Sequence, residues 1–376
     1  MVEQGLNDCG IRRLSGLGLP AATALLLAWA PVWCGAAGAD EPKPVLADGT
    51  VNVPSYQLPP SVYLSAEARK TLQQPPIDYG PMLEKLVSSG HVAEIRAARA
   101  KASAADIRHV TDLYPVRTRE LELRGVHAVA VTPVAGVSAA NRHRILINLP
   151  GGAFIMADAA SGGVIESAPV AALGRIEVVS LDYRQAPEAE FPAASEDVGA
   201  AYRALLKTHR PQDIGIYGCS AGGLLGAQAI AWIESHHLPM PGALGIFCAS
   251  ADARWAGDSW FWQHPIQGLN SPPSLDERFY YGNHDLSDPM MSPIESPELL
   301  RRFPPTLLIT ASRAGELSSA INTHRLLIKA GAEADLHVWD GLGHAFFLNV
   351  DLPESREAFD VMVQFFATHL GRSKRR

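Results

Sequence analysis

The sequence is poor in cysteine, with four residues among 376. Cys9 and Cys34 lie near the start, while Cys219 and Cys248 lie at the ends of apolar runs. The sequence contains neither a Cys-x-x-Cys pair nor a His-x-x-x-His pair. These absences argue against a disulfide framework and give no indication of a metal site. We expect Cys219 and Cys248 to be small buried hydrophobic residues.

An excess of positive charge is also absent. Lysine and arginine number 32 against 39 aspartates and glutamates, which gives a net charge of −7. This balance gives no electrostatic reason to expect a nucleic acid as partner. A hydrophobic fraction of 47% and a charged fraction of 19% are typical of a globular protein with a large core. The sequence carries no signal for a particular oligomeric state.

The first 39 residues differ from the rest. Arg12-Arg13 precedes an apolar stretch from Leu14 to Trp33, and Ala37-Gly38-Ala39 follows. This order of basic, apolar and small residues is typical of a secretory signal peptide. We predict that residues 1–39 are such a signal, cleaved after Ala39, and that the protein is secreted or periplasmic. Glycines and prolines in the apolar stretch disfavour a stable membrane-spanning helix. A retained anchor and a misassigned start are the alternatives.

Residues 40–60 are rich in proline, and we predict that they form an N-terminal arm. Residues 61–376 then form the main domain. It opens with a segment at 62–110 whose pattern is mostly helical, interrupted by Pro75-Pro76 and Pro81.

Further along, the pattern changes to the alternation typical of β-strands. Residues 117–123 and 126–131 are predicted to pair around a turn at Arg124-Gly125. Six short apolar runs follow, separated by segments of helical length. Because these runs lack polar alternation, we predict strands buried on both faces of a parallel sheet. The six runs are Ile145–Leu149, Ile176–Leu181, Ile214–Tyr217, Ala243–Cys248, Thr306–Ile309 and Leu336–Trp339.

The chain is therefore predicted to be an α/β protein with a mostly parallel, doubly wound central sheet and helices on both faces. Residues 252–304 interrupt the alternation and are rich in tryptophan and proline. We interpret them as an insertion over the carboxyl edge of the sheet. Its aromatic residues Trp255, Trp260, Phe261 and Trp262 either line a substrate pocket or fill the core of the insertion. The predicted helices are 161–173, 193–208, 221–235, 318–330 and 355–369.

The pentapeptide Gly218-Cys219-Ser220-Ala221-Gly222 has the pattern Gly-x-Ser-x-Gly and lies between a predicted strand and a predicted helix. In that context the turn presents the serine hydroxyl at the carboxyl edge of the sheet. The glycines leave room for the close chain crossing. We predict that Ser220 is a nucleophile, against the alternative of a glycine-rich turn with a solvated serine.

A serine hydroxyl is a weak nucleophile unless a base removes its proton. His344 follows the last predicted strand, where a loop at the carboxyl edge can approach Ser220. In this architecture the order along the chain is serine, acid, histidine, so we predict that His344 is the base. An oxyanion needs backbone N–H donors. We predict Ala221 as one donor and Gly151 and Gly152, after the Ile145–Leu149 strand, as the others.

Five stretches together resemble the hormone-sensitive-lipase-like branch of the α/β-hydrolases, over roughly residues 115–370. The resemblance implies a serine esterase that acts on short acyl chains without a cofactor, with cap elements from about 62–110 and 252–304. It also implies that Asp182, Arg184 and Glu188 hold the site loops through ion pairs. The five stretches are Pro150-Gly151-Gly152-Ala153-Phe154, Asp182 to Glu188, Phe191 to Val198, the pentapeptide around Ser220, and Gly343-His344-Ala345-Phe346-Phe347.

Two departures from that family pattern affect the site. Pro150 replaces the usual histidine and Ala153 the third glycine, which narrows the space near the oxyanion loop. Ala314 occupies the position where the family has its catalytic aspartate. We predict that Glu316, two residues further on, supplies the acid. Asp252 is the alternative, and a dyad without an acid is another.

The sequence thus predicts a serine carboxylic ester hydrolase whose partner is a small-molecule ester, with no nucleic acid and no stable membrane insertion after signal cleavage. A catalytically weakened or inactive binding protein on the same fold is the alternative, because fold alone does not fix function. Transfer of the acyl group to an alcohol other than water is a third possibility.

Overall fold

The structure is a computed structural model that describes residues 44–75, 78–269 and 278–372, apart from the side chains of Tyr79 and Arg278. The predicted signal peptide lies outside the described residues. The chain divides into two compact units, Met1–Gln57 and Leu58–Arg376. In the described part of the first unit, Val45 and Val51 form an isolated antiparallel bridge.

The second unit is built around a sheet that has eight strands within the described residues. Its spatial order is β1-β2-β4-β3-β5-β6-β7-β8. The pairs β1–β2 and β2–β4 are antiparallel, and every other pair is parallel. The predicted mostly parallel sheet is therefore confirmed. The strands are β1 (Val116–Leu123), β2 (Val126–Pro133), β3 (Ile145–Leu149), β4 (Glu177–Leu181), β5 (Ile214–Cys219), β6 (Ala243–Phe247), β7 (Thr306–Ala311) and β8 (Ala334–Trp339).

The helices pack on both faces of this sheet, which confirms the doubly wound arrangement. One apolar core includes Val198 of α6, Leu224 of α7 and Leu327 of α11. The core on the opposite face includes Ala168 of α5 and Phe359 of α12. The helices are α1 (Ala66–Thr71), α2 (Tyr79–Ser88), α3 (Val92–Ala102), α4 (Ala104–Leu113), α5 (Gly162–Gly174), α6 (Ala193–Leu205), α7 (Ala221–Ser235), α8 (Asp258–Gln267), α9 (Arg278–Tyr281), α10 (Pro297–Leu300), α11 (Leu317–Ala330) and α12 (Pro353–His369).

Four strands are two residues longer than predicted: β2, β5 and β7 extend further at their ends, and β8 extends further at its start. Strand β8 begins at Ala334, two residues before the predicted Leu336. This strand is the edge of the sheet, and its burial is partial, so polar residues such as Asp335 belong to it. A search for fully apolar runs misses strand residues that face solvent.

Four helices, α1 to α4, fill the segment 62–110 and its continuation to Leu113. Arg96 of α3 donates hydrogen bonds to the carbonyl oxygens of Ile155, at 2.6 Å, and Ala186, and it pairs with Glu188 at 2.8 Å. The α3 helix is therefore fastened to the loops that follow β3 and β4. Among the described residues, no helix combines the length and the apolar character needed to cross a bilayer.

Candidate active site

Ser220 lies at the junction of β5 and α7, the central strand and the most deeply buried helix. Its backbone has φ 56° and ψ −124°, a conformation that is strained for a residue other than glycine. Gly222 permits this turn, because a Cβ at that position would lie 1.8 Å from the carbonyl oxygen of Leu149. The Ser220 N–H donates to the carbonyl oxygen of Phe247 at 2.8 Å. The structure thus has the tight strand-to-helix turn that the pentapeptide predicts.

His344 lies on the loop after β8, as predicted, and its ring reaches Ser220. The distance from His344 Nε2 to Ser220 Oγ is 3.0 Å. The neighbouring residue Ala345 donates its N–H to Cys248 Sγ at 3.1 Å, which ties the histidine loop to the end of β6. Cys219 and Cys248 are free and buried, as expected from the sequence.

Glu316 is the carboxylate that contacts the imidazole. Its Oε2 lies 2.9 Å from His344 Nδ1, and its Oε1 accepts a hydrogen bond from Thr310 Oγ1 at 3.1 Å. The residue is only 1% exposed. Asp252 instead pairs with Arg254 at 2.7 Å and accepts the Arg254 N–H at 3.0 Å. The structure therefore brings Glu316, rather than Asp252, together with Ser220 and His344.

The backbone around Glu316 is held by the first turn of α8, a contact that the sequence did not reveal. Ser259 Oγ donates to the carbonyl oxygen of Gly315 at 2.7 Å and accepts the N–H of Ser318 at 2.8 Å. Ser318 Oγ accepts the N–H of Ser259 at 3.0 Å. The insertion thus fixes the turn that carries Glu316, two residues beyond Ala314.

The electrostatics of His344 follow from its carboxylate partner. Burial of the imidazole acts to lower its pKa, but the charge of Glu316 and the hydrogen bond to it act in the opposite direction and prevail. The pKa of His344 is raised to about 9. A carboxylate in this place stabilises the imidazolium that forms when the serine loses its proton.

The loop after β3 lies directly against the nucleophile, but one predicted donor is occupied. The N–H of Gly151 donates to Glu166 Oε1 at 2.8 Å, so it is not available to an oxyanion in this structure. The sequence motif alone did not separate Gly151 from its neighbours in this respect. Among the described residues, the N–H groups of Gly152, Ala153 and Ala221 have no acceptor.

Glu166 is a site residue that sequence analysis missed. It is 6% exposed, and burial raises the pKa of its carboxyl group to about 7, against the opposing effect of hydrogen bonds from Gly151 and Asn148. The available signal was its position as the only charged residue in the otherwise apolar and small-residue helix α5. A lone carboxyl group in a buried helix requires a hydrogen-bond partner.

The ion pairs implied by the family resemblance are present. Asp182 Oδ2 lies 2.5 Å from His127 Nδ1, and Asp182 Oδ1 accepts the Ala159 N–H at 2.6 Å. Arg184 pairs with Asp197 at 2.8 Å, in addition to the pair between Glu188 and Arg96. These contacts fasten the loops beside the site and leave its reacting groups free.

The aromatic residues of the insertion take different places. Trp255 is 6% exposed, and its ring lies edge-on to the His344 ring with centroids 6.3 Å apart. Trp260 packs against Trp255 at 6.3 Å. Phe261 and Trp262 are exposed, at 71% and 42%. Trp255 therefore lies beside the imidazole, whereas Phe261 and Trp262 fill no core of the insertion.

A serine on a strand-to-helix turn, an imidazole after the last strand and a carboxylate behind it define a site of the α/β-hydrolase class. The chain belongs to that family, on its hormone-sensitive-lipase-like branch: the family model for the alpha/beta hydrolase fold matches residues 146–348, and esterases of the bacterial hormone-sensitive lipase family are among its structural neighbours.

Three similar proteins illustrate the relationship. An acetyl-hydrolase from Streptomyces hygroscopicus is 30% identical over 233 residues, which cover 61% of this chain and 77% of that protein. The crystal structure of esterase E25 is 29% identical with a TM-score of 0.75, and the match covers 85% of this chain and 99% of that one. An esterase from the bacterial hormone-sensitive lipase family is 27% identical with a TM-score of 0.62, covering 78% and 99% of the two chains.

Proposed function

We propose that this protein is a serine carboxylic ester hydrolase that acts on short-chain acyl esters through an acyl-enzyme. One observation carries the proposal: a continuous chain of contacts runs from Ser220 Oγ through His344, at 3.0 Å, to Glu316, at 2.9 Å. A nucleophile, a base and an orienting carboxylate within hydrogen-bond distance are the groups that acyl transfer requires.

The reaction begins when Ser220 Oγ attacks the ester carbonyl and His344 Nε2 takes its proton. Glu316 holds the other ring nitrogen, which keeps Nε2 directed at the serine and stabilises the imidazolium. The tetrahedral intermediate then collapses, and the imidazolium gives the proton to the departing alcohol. Water attacks the acyl-enzyme by the same sequence of proton transfers and releases the acid.

The oxyanion is bound by backbone N–H groups in this proposal. Ala221, directly after the nucleophile, starts α7, where the N–H groups and the helix dipole favour negative charge. Gly152 and Ala153 supply the remaining donors, because the N–H of Gly151 is already held by Glu166. Donors fixed before the reaction stabilise the transition state without reorganisation.

The preference for short acyl chains is also a proposal. The methyl group of Ala153 stands where the family has a glycine, and the buried Trp255 lies beside the imidazole. In this proposal both limit the space next to the reacting carbonyl. The acetyl-hydrolase name of one relative supports the same substrate class.

The non-catalytic alternative depended on Ala314 and Pro150. Glu316 takes the place of the missing aspartate at the imidazole. Pro150 lacks only its own N–H, and the following residues retain theirs. Neither departure therefore removes a reacting group.

Hydrolysis of p-nitrophenyl acetate and p-nitrophenyl butyrate, measured for the wild type and for S220A, tests the proposal. We expect turnover by the wild type and a loss of at least about 10³-fold in S220A, because the nucleophile is absent. Equal rates for the two proteins would remove the esterase proposal.

We also propose that the protein is exported, on the basis of residues 1–39. The N-terminal sequence of the mature protein from its native host should then begin at Asp40. A mature protein that retains Met1 and stays in the cell interior would contradict this.

A further inference from the structure

Glu166 is a buried carboxyl group that the proposed ester hydrolysis does not use. Its two oxygens accept hydrogen bonds from the Gly151 N–H at 2.8 Å and from Asn148 Nδ2 at 2.9 Å. Asn148 Oδ1 in turn accepts from Ser180 Oγ at 2.8 Å. A buried polar chain therefore runs from β4 through β3 and α5 to the loop that faces Ser220.

A buried glutamate at this position makes the folded protein less stable than an apolar side chain would. Burial disfavours the charged carboxylate, which is why its pKa rises to about 7. The approach of α5 to β4 also requires a glycine, since a Cβ on Gly163 would lie 2.0 Å from Ser180 Oγ. Packing alone does not explain a glutamate at this position. The hydrogen bond that it accepts from the Gly151 N–H does explain it.

That hydrogen bond fixes the peptide between Pro150 and Gly151 on both sides. The carbonyl oxygen of Pro150 accepts from Tyr183 OH at 2.6 Å, and the N–H of the same peptide is held by Glu166. A Cβ on Gly151 would lie 3.4 Å from Ser220 Cβ, so this peptide is packed against the nucleophile. The next peptide but one is held too, because the Gly152 carbonyl oxygen accepts from the N–H groups of Ile155, at 2.9 Å, and Met156, at 2.7 Å. The segment that carries the Gly152 and Ala153 N–H groups is therefore anchored at both ends.

We propose that Glu166 is a positioning residue for the oxyanion hole. By holding the Pro150–Gly151 peptide, it directs the N–H groups of Gly152 and Ala153 towards the carbonyl oxygen of the ester. The inference rests on the proposed function, and it predicts that Glu166 acts on the transition state more than on substrate binding.

Two variants of similar size test this role. E166L removes both acceptors, whereas E166Q keeps a carboxamide oxygen for the Gly151 N–H, and Asn148 turns its amide to match. For E166L we expect kcat for p-nitrophenyl acetate to fall about 100-fold, with KM within about threefold, because oxyanion stabilisation is lost. E166Q should keep kcat within about fivefold of the wild type, since the hydrogen bond remains.

Binding of a trifluoromethyl ketone gives a second readout. Its hemiketal with Ser220 places an oxyanion in the same position as the reaction intermediate. The inhibition constant should rise by a factor similar to the loss of kcat/KM in E166L and stay near the wild-type value in E166Q. A purely structural role for Glu166 would not make the inhibition constant change in parallel with kcat/KM.

Glu354 provides a matched control. It is a buried glutamate at the start of α12 that also accepts two hydrogen bonds, from the N–H of Ser65 at 2.7 Å and from Ser65 Oγ at 2.9 Å. E354L should lower Tm while kcat and the inhibition constant stay unchanged. If E166L fails to fold, S180A replaces it, because it removes the donor to Asn148; we then expect kcat to fall a few-fold at constant KM.

The proposal is overturned if E166L loses Tm as E354L does but keeps wild-type kcat and inhibitor affinity. It is equally overturned if E166Q loses as much kcat as E166L, or if S180A, used in place of E166L, leaves kcat unchanged. A wild type that hydrolyses no ester, or an S220A variant as active as the wild type, would instead overturn the proposed function itself.

Discussion

At the scale of single residues, the carboxylate at the imidazole comes from Glu316. Glu316 lies two residues beyond the family position, now Ala314, yet its Oε2 reaches His344 Nδ1 at 2.9 Å. The extra methylene of glutamate and the bend at Gly315 make this contact possible. The imidazole is therefore oriented as in a triad with the acid in its usual place.

Replacement of the acid tests that contact. In E316Q we expect kcat to fall about 10²- to 10⁴-fold, because the amide no longer stabilises the imidazolium and favours the wrong tautomer. D252N removes the carboxylate that pairs with Arg254 and should change kcat only a few-fold. Steady-state rates with p-nitrophenyl acetate measure both, and the reverse ranking would assign the acid to Asp252.

The raised pKa of His344 predicts a pH dependence. The base must be the neutral imidazole, so kcat/KM should rise with pH and level off above the pKa of His344, which is about 9. Glu316 favours the charged imidazole, so the residual activity of E316Q should show its acidic limb at lower pH. A profile of kcat/KM against pH for both proteins checks this; an unchanged limb in E316Q would contradict the electrostatic account.

At the scale of secondary-structure elements, the insertion holds the turn that carries Glu316. Ser259, in the first turn of α8, forms hydrogen bonds with Gly315 and with Ser318 at the start of α11. These two partners lie on either side of Glu316 in the sequence. Since Ser259 is fully buried, these bonds are protected from water. The α8 helix therefore acts on the position of the Glu316 carboxylate.

Removal of one hydroxyl tests this contact between helices. In S259A, the Gly315 carbonyl oxygen and the Ser318 N–H lose their partner, and we expect kcat to fall about tenfold as the turn around Glu316 loosens. S292A is the control, because Ser292 is equally buried but bonds to the Leu286 carbonyl oxygen and to Asp252. It should lower Tm without changing kcat; equal effects of the two variants on kcat would contradict the assignment.

At the scale of the whole molecule, the sheet gathers groups that are far apart in sequence. Ser220 follows β5, Glu316 follows β7 and His344 follows β8, all at the carboxyl edge where parallel strands end together. The strand order therefore brings these groups together at one edge of the sheet. Core positions at the opposite, amino edge are expected to contribute stability alone.

A core substitution away from the site separates these contributions. Phe365 of α12 is 6% exposed, and its ring packs against Phe366 and His369 near the end of that helix. F365A should lower the free energy of unfolding by about 3–5 kcal/mol, because it leaves a cavity. Urea unfolding measures the loss, and kcat below the transition should equal that of the wild type. A large fall in kcat would show that the site depends on this core.

The sequence predicted the features that local pattern determines. Strands buried on both faces are apolar throughout, so β3 was predicted with its observed ends, Ile145 and Leu149. The placement of Ser220 beside His344 followed from a motif and from chain order. The hydrogen bond of the Gly151 N–H did not follow, because it depends on a contact with Glu166 in α5, fifteen residues further on. No local pattern encodes the direction of that peptide.

The most direct test of the central claim is to trap the acyl-enzyme. Wild-type protein quenched with acid during turnover of p-nitrophenyl acetate should carry the added mass of one acetyl group, located on the peptide that contains Ser220. The same experiment on S220A should show no added mass. An acetyl group on another residue, or ester turnover that persists in S220A without any adduct, would contradict the account.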